Sequence, residues 1–81
     1  MKTIIERKPL YEVGDVCSTE NGHLEVILEV ITDPKRMTGY KTMALTDQRL
    51  NSEHTFKKGS TAVQNFETFE TWRYKKNFRT F

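Results

Sequence analysis

The pair Asn21-Gly22 constrains this 81-residue chain more than any other feature. Both central residues of a type I′ turn need positive φ, which Asn and Gly adopt at least cost, so the pair specifies a tight hairpin. The residues after it alternate. Leu24, Val26, Leu28 and Val30 fall on one face of an extended segment, with His23, Glu25, Ile27, Glu29 and Ile31 on the other. Glu and Leu also suit a helix, but the upstream turn and the run of Val and Ile favour a strand. Residues 15–20 and 23–32 are therefore expected to pair antiparallel. With a two-residue loop, Glu20 opposes His23, Ser18 opposes Glu25 and Cys17 opposes Val26.

The rest of the chain continues in short pieces. Residues 2–6 read as a strand closed by Pro9, and residues 11–15 as a turn. Asp33-Pro34-Lys35 turns the chain again, and Gly39 closes a polar loop before a third strand over residues 40–46. Residues 47–52 read as irregular or as one helical turn, and residues 54–56 as a short strand ended by Lys57-Lys58-Gly59. Residues 61–70 stay open: Val63, Phe66 and Phe69 have helical spacing, whereas Thr61 and Thr68 favour a strand. Residues 72–78 read as a last strand, with Trp72 and Tyr74 on one side and Arg73 and Lys75 on the other.

Five or six short strands in so short a chain imply a mainly β fold. It is either a small SH3-like barrel or a strongly bent antiparallel sheet, with at most a short helical turn. The length implies one small domain spanning residues 1–81. Residues 11–16 (Tyr-Glu-Val-Gly-Asp-Val) followed by residues 21–30 resemble the first hairpin of SH3-like and Tudor-like barrels, in which a Gly-Asp turn leads into a long second strand. Short length, one cysteine and dense charge together resemble small accessory proteins of bacteriophages. That resemblance implies a protein that binds and modulates a larger host protein.

Several chemistries find no support in the residues. Cys17, His23 and His54 have none of the spacings that bring ligands to one metal ion, so neither a metal nor a cofactor is expected. Cys17 and His23 flank the hairpin turn without being direct neighbours in the expected register, which argues against a nucleophile and base. Glu25 and Glu29 are expected on an outer strand face, where acids keep a sheet soluble. The chain reads as a non-enzyme. A lone cysteine, and Glu6-Arg7-Lys8-Pro9 breaking the apolar start, point to a cytoplasmic protein; no run suits a membrane span.

Charge is segregated. Residues 1–54 hold seven Lys and Arg against nine acids, and residues 55–81 hold six against two, with no acid after Glu70. The last ten residues interleave cations (Arg73, Lys75, Lys76, Arg79) with rings (Trp72, Tyr74, Phe78, Phe81). Two uses follow. As a protein-binding surface, Tyr40, Trp72, Arg73 and Tyr74 would anchor a larger partner, or an open sheet edge would extend its sheet. As a nucleic-acid surface, Arg73, Lys75, Lys76 and Arg79, extended by Lys57 and Lys58, would neutralise phosphates while Trp72, Tyr74 and Phe78 stack on bases. The modest total charge ranks protein binding first, and an unpaired edge is compatible with a homodimer. The competing reading keeps Trp72, Tyr74 and Phe66 in the core and leaves the cations as a solvated strand face.

Overall fold

A computed structural model describes residues 8–50 and 53–76 of the protein. Five strands form one sheet: β1 (Val16–Thr19), β2 (Leu24–Ile31), β3 (Gly39–Leu50), β4 (Glu53–Gln64) and β5 (Arg73–Lys75). A seven-residue helix, α1 (Phe66–Trp72), joins β4 to β5. The strand order is β4-β3-β2-β1-β5 and every pairing is antiparallel. The fold is mainly β, and among the described residues the sheet stays open: β4 and β5 are its two edges and do not pair. The first strand expected from the sequence, residues 2–6, lies outside the described residues.

The Asn21-Gly22 hairpin forms with a different register. Cys17 pairs with Glu25 and Ser18 with Leu24, one residue away from expectation. The cause is loop length. Gly22 N donates to Thr19 O (2.9 Å), Thr19 N donates to His23 O (2.9 Å), and Gly22 takes φ 84°. This is a three-residue loop ending in a left-handed glycine, the other common hairpin solution. A one-residue slip moves every side chain of β1 to the opposite face relative to β2. Cys17 therefore shares a face with Glu25 and Ile27.

A second irregularity redirects β2. Ile27 pairs with Thr42 and Glu29 with Lys41, leaving Leu28 as the extra residue of a bulge. The bulge breaks the alternation expected across residues 24–30. It puts Val30, opposite Tyr40, on the same face as Ile27, and leaves Leu28 exposed. Gly14 N donates to Ile27 O and Ile27 N donates to Asp15 O, both at 2.9 Å, so the expected turn at residues 11–15 docks on the bulge.

The covered face is aromatic. Tyr11, Cys17, Ile27, Tyr40 and Phe69 form the core, with Val30 and Phe66 packed against it. Tyr40 is the hub: its ring meets Phe66 edge-on at 4.8 Å, Phe69 at 4.9 Å and Tyr11 at 5.9 Å. Such ring pairs add roughly 0.5–1.5 kcal/mol each beyond area burial. These rings fill the core, so Trp72 and Tyr74 are outside it, 68% and 51% exposed. The reading that kept those two residues inside is thereby corrected.

Both strands of the β3–β4 hairpin run far longer than the sequence suggests. β3 continues through residues 47–50, read as irregular, and β4 passes straight through Lys57, Lys58 and Gly59. The register shifts there: Met43 pairs with Thr61 but Leu45 with Lys58, so Gly59 and Ser60 together oppose Ala44. A Cβ on Gly59 would lie 3.2 Å from that of Ala44, and the glycine lets the bulge close. A strand breaker has become a bulge. Each of these 12-residue strands is about 40 Å long.

Candidate functional site

The site is built where α1 turns directly into β5. Asn65 caps the helix, its Oδ1 accepting from Glu67 N (2.9 Å) and Thr68 N (3.4 Å), with acidic Glu67 suiting the first turn. Phe66 and Phe69 face the sheet, which settles residues 66–72 as helix. At the crossover, Gly39 (φ 147°) begins β3 against Gln64 and Asn65; a Cβ there would stand 2.0 Å from Gln64 O. The close approach lets the chain leave one edge of the sheet, cross its covered face as α1, and join the other edge.

Arg73 leaves the helix in extended conformation (φ −137°, ψ 156°) with no intervening loop. β5 pairs with β1, Thr19 opposite Arg73, Ser18 opposite Tyr74 and Cys17 opposite Lys75, and Lys76 N donates to Val16 O at 2.8 Å. By this alternation Arg73 and Lys75 point to the core face and Tyr74 to the other. The expectation that the cations of this strand face outward is thus reversed for Arg73. Its Nε donates to Glu25 Oε1 at 2.5 Å, and its guanidinium lies 4.8 Å from the centre of the Phe69 ring.

Glu25, expected on a solvated face, is 5% exposed and is the anchor of this arrangement. Its other oxygen accepts from Thr42 Oγ1 (3.0 Å) and Gln64 Nε2 (2.6 Å). One carboxylate therefore links β2, β3, β4 and β5. A buried ion is tolerated when its lone pairs are so occupied, and removing one partner costs about 3–5 kcal/mol. The N-terminal segment adds a second tie. Tyr40 Oη donates to Glu70 Oε2 (2.6 Å) and accepts from Tyr11 N (3.1 Å), Leu10 N donates to the same Glu70 oxygen (3.1 Å), and Tyr11 Oη donates to Arg73 O (3.2 Å). Burial and the Glu70 hydrogen bond push the Tyr40 hydroxyl up to about 12.

What this scaffold presents is a shallow, open groove of about 500 Å³ lined by Glu20, Thr71, Trp72, Arg73 and Tyr74. Trp72 and Tyr74, two of the expected contact residues, meet here. Tyr40 does not join them: it is fully buried and offers a partner nothing. Lys75 reaches Asp15 at 3.4 Å, and Lys76 is exposed. Lys57 and Lys58 lie on β4, at the opposite edge of the sheet, and as consecutive strand residues point to opposite faces. They do not extend the cations of β5. Phe78 and Arg79 lie outside the described residues. Sequence reasoning missed Thr71 as a groove residue and did not bring Glu20 together with Trp72 and Tyr74. It also missed the Glu25–Arg73 pair, which depends on a register the turn sequence alone does not fix.

Cys17 is fully buried, and burial, then Asp15 and Glu25, push its thiol up to about 11, the wrong direction for a nucleophile at neutral pH. Among the described residues no three His, Cys, Asp or Glu side chains group as metal ligands, and no helix is long and apolar enough to cross a membrane. No family model, curated protein or solved structure matches this chain.

Proposed function

We propose that this is a non-enzymatic binding protein that engages a larger protein through the α1–β5 groove and thereby modulates it. One observation carries the reading: Trp72, the last residue of α1, and Tyr74, in β5, stand 68% and 51% exposed on either side of Arg73, which the buried Glu25 holds in place. Large rings held rigidly in solvent gain much by being covered and lose little conformational freedom in the process, which is the character of interface anchors. Addition of a partner strand to β5 is less favoured, since the strand is short and Tyr11 already takes the Arg73 carbonyl. The resemblance to bacteriophage accessory proteins suggests a host protein as the partner, and the lone cysteine suggests the cytoplasm as the location.

A nucleic-acid reading has one observation in its favour, exposed rings beside exposed Lys76. Against it, Arg73 is committed to Glu25, Lys75 is paired with Asp15, and Lys57 and Lys58 sit at the far edge. Affinity capture from host lysate separates the two readings. The protein-binding reading expects one protein at near-stoichiometric yield, retained after nuclease and lost with the Trp72→Ala/Tyr74→Ala variant. Capture that disappears with nuclease, or that survives the double substitution, would overturn it.

A further inference from the structure

We infer that the groove beside Trp72 receives a cationic side chain, arginine above all, from the partner. This deepens the protein-binding reading and rests on it. The groove offers two aromatic rings and one carboxylate, that of Glu20. Glu20 is exposed and has no ion pair among the described residues. Arg73 lines the same groove, yet its side chain is only 15% exposed and its charge is answered by Glu25 on the core face. The groove therefore combines an exposed carboxylate without an ion pair and two exposed rings, while its own cation, Arg73, is engaged by Glu25.

The chemistry of the occupant follows. An arginine is planar, stacks on indole or phenol faces, and can present a two-pronged fork to a carboxylate. A lysine satisfies the charge without the stacking. A carboxylate or phosphate would meet the Glu20 charge and the negative faces of both rings. Lys76, exposed at the far end of β5, is the nearby group that would favour an anion, so a nucleic acid is the competing ligand.

Trp72 is the sole tryptophan of the chain, so its fluorescence reports on the groove without a label. The full chain is titrated with a short Gly-Ser peptide carrying two arginines, with the same peptide carrying citrullines, and with oligothymidylate. The arginine peptide is expected to change the emission saturably and to bind at least about fivefold more tightly than the citrulline peptide. Glu20→Gln, an exposed change that leaves circular dichroism unaltered, should weaken the arginine peptide by about threefold to fivefold. Equal binding of the two peptides, or no response to any ligand, would overturn the cation assignment and leave the protein-binding reading standing. Oligothymidylate binding more tightly than either peptide, and more tightly still to Glu20→Gln, would overturn both.

Discussion

The two edges of the sheet are made differently. β4 offers 12 residues of open edge, β5 only three. The long edge is guarded: Lys57 and Lys58 sit on it, and the Gly59–Ser60 bulge interrupts the flat ladder another chain would need. The short edge carries exposed Tyr74, follows directly on exposed Trp72 at the end of α1, and is tied to the body by Glu25, Arg73 and Tyr11. Length of open backbone and readiness to bind therefore run in opposite directions. The edge that invites indiscriminate pairing is made unattractive, and the edge that presents anchors is short and rigid.

The largest expected effect lies at the joint between the edges. Gly39→Ala sets a Cβ into the Gln64 carbonyl, so the end of β4 must move and the crossover of α1 with it. Denaturant unfolding should show a loss of about 3 kcal/mol or more. A loss within experimental error would mean the crossover is not as tight as described.

Next comes the clamp. Arg73→Ala leaves Glu25 buried with its charge unanswered and should cost about 3–5 kcal/mol, whereas Arg73→Ala combined with Glu25→Gln, which removes the charge and keeps an oxygen for Thr42 and Gln64, should cost less. If the double variant proves as unstable as Arg73→Ala, packing and not the ion pair holds β5. The single variant should also weaken any partner that reads Trp72, whereas Lys57→Ala should not.

Alkaline pH gives a smaller and graded effect through the core beneath β5. The folded state holds the Cys17 proton more tightly than the unfolded chain, whose thiol titrates at its ordinary value of 9.0. Stability is thus whole below pH 9 and declines as pH rises toward about 11. Tyr40, raised from 10.0 to about 12, adds a second decline in that higher window. Urea midpoints measured from pH 8 upward should fall accordingly, and Cys17→Ala should flatten the earlier part of the fall.

The smallest stability effect belongs to the exposed residues of either edge. Trp72→Ala and Tyr74→Ala should each change stability by less than about 1 kcal/mol, as should Lys57→Ala and Lys58→Ala. Their consequences then diverge. The aromatic pair should abolish capture of the partner, while loss of both lysines should leave capture intact and promote self-association at high concentration, seen by light scattering.

Local signals in the sequence identified turns and strands well. Asn21-Gly22, the Gly-Asp turn at residues 14–15 and the alternating β2 segment all mark real features. What local signals left open was register. Asn-Gly serves both two- and three-residue loops, and the choice between them decided that Glu25 and Cys17 share the core face. The bulge at Leu28 leaves no mark in a run of alternating apolar residues. Gly59 was visible as a breaker, but only pairing with Ala44 makes it a bulge. At the site, Trp72 and Tyr74 were legible as candidates from the aromatic and basic run. Their exposure was not, because it depends on Tyr11, Tyr40, Phe66 and Phe69 having already filled the core. Asn65 followed by Glu67 was an available cap signal for α1 that the threonines obscured.

The proposed site requires Trp72 to stand in solvent at a rigid junction between α1 and β5. Because no other tryptophan contributes, acrylamide quenching of native fluorescence, read together with its anisotropy, tests both halves in one sample. The account predicts an emission maximum and quenching close to those of the unfolded chain, with anisotropy near that of rigid tumbling. A blue-shifted, poorly quenched Trp72 would place the ring inside, and low anisotropy would show a loose α1–β5 junction; either result contradicts the proposed site.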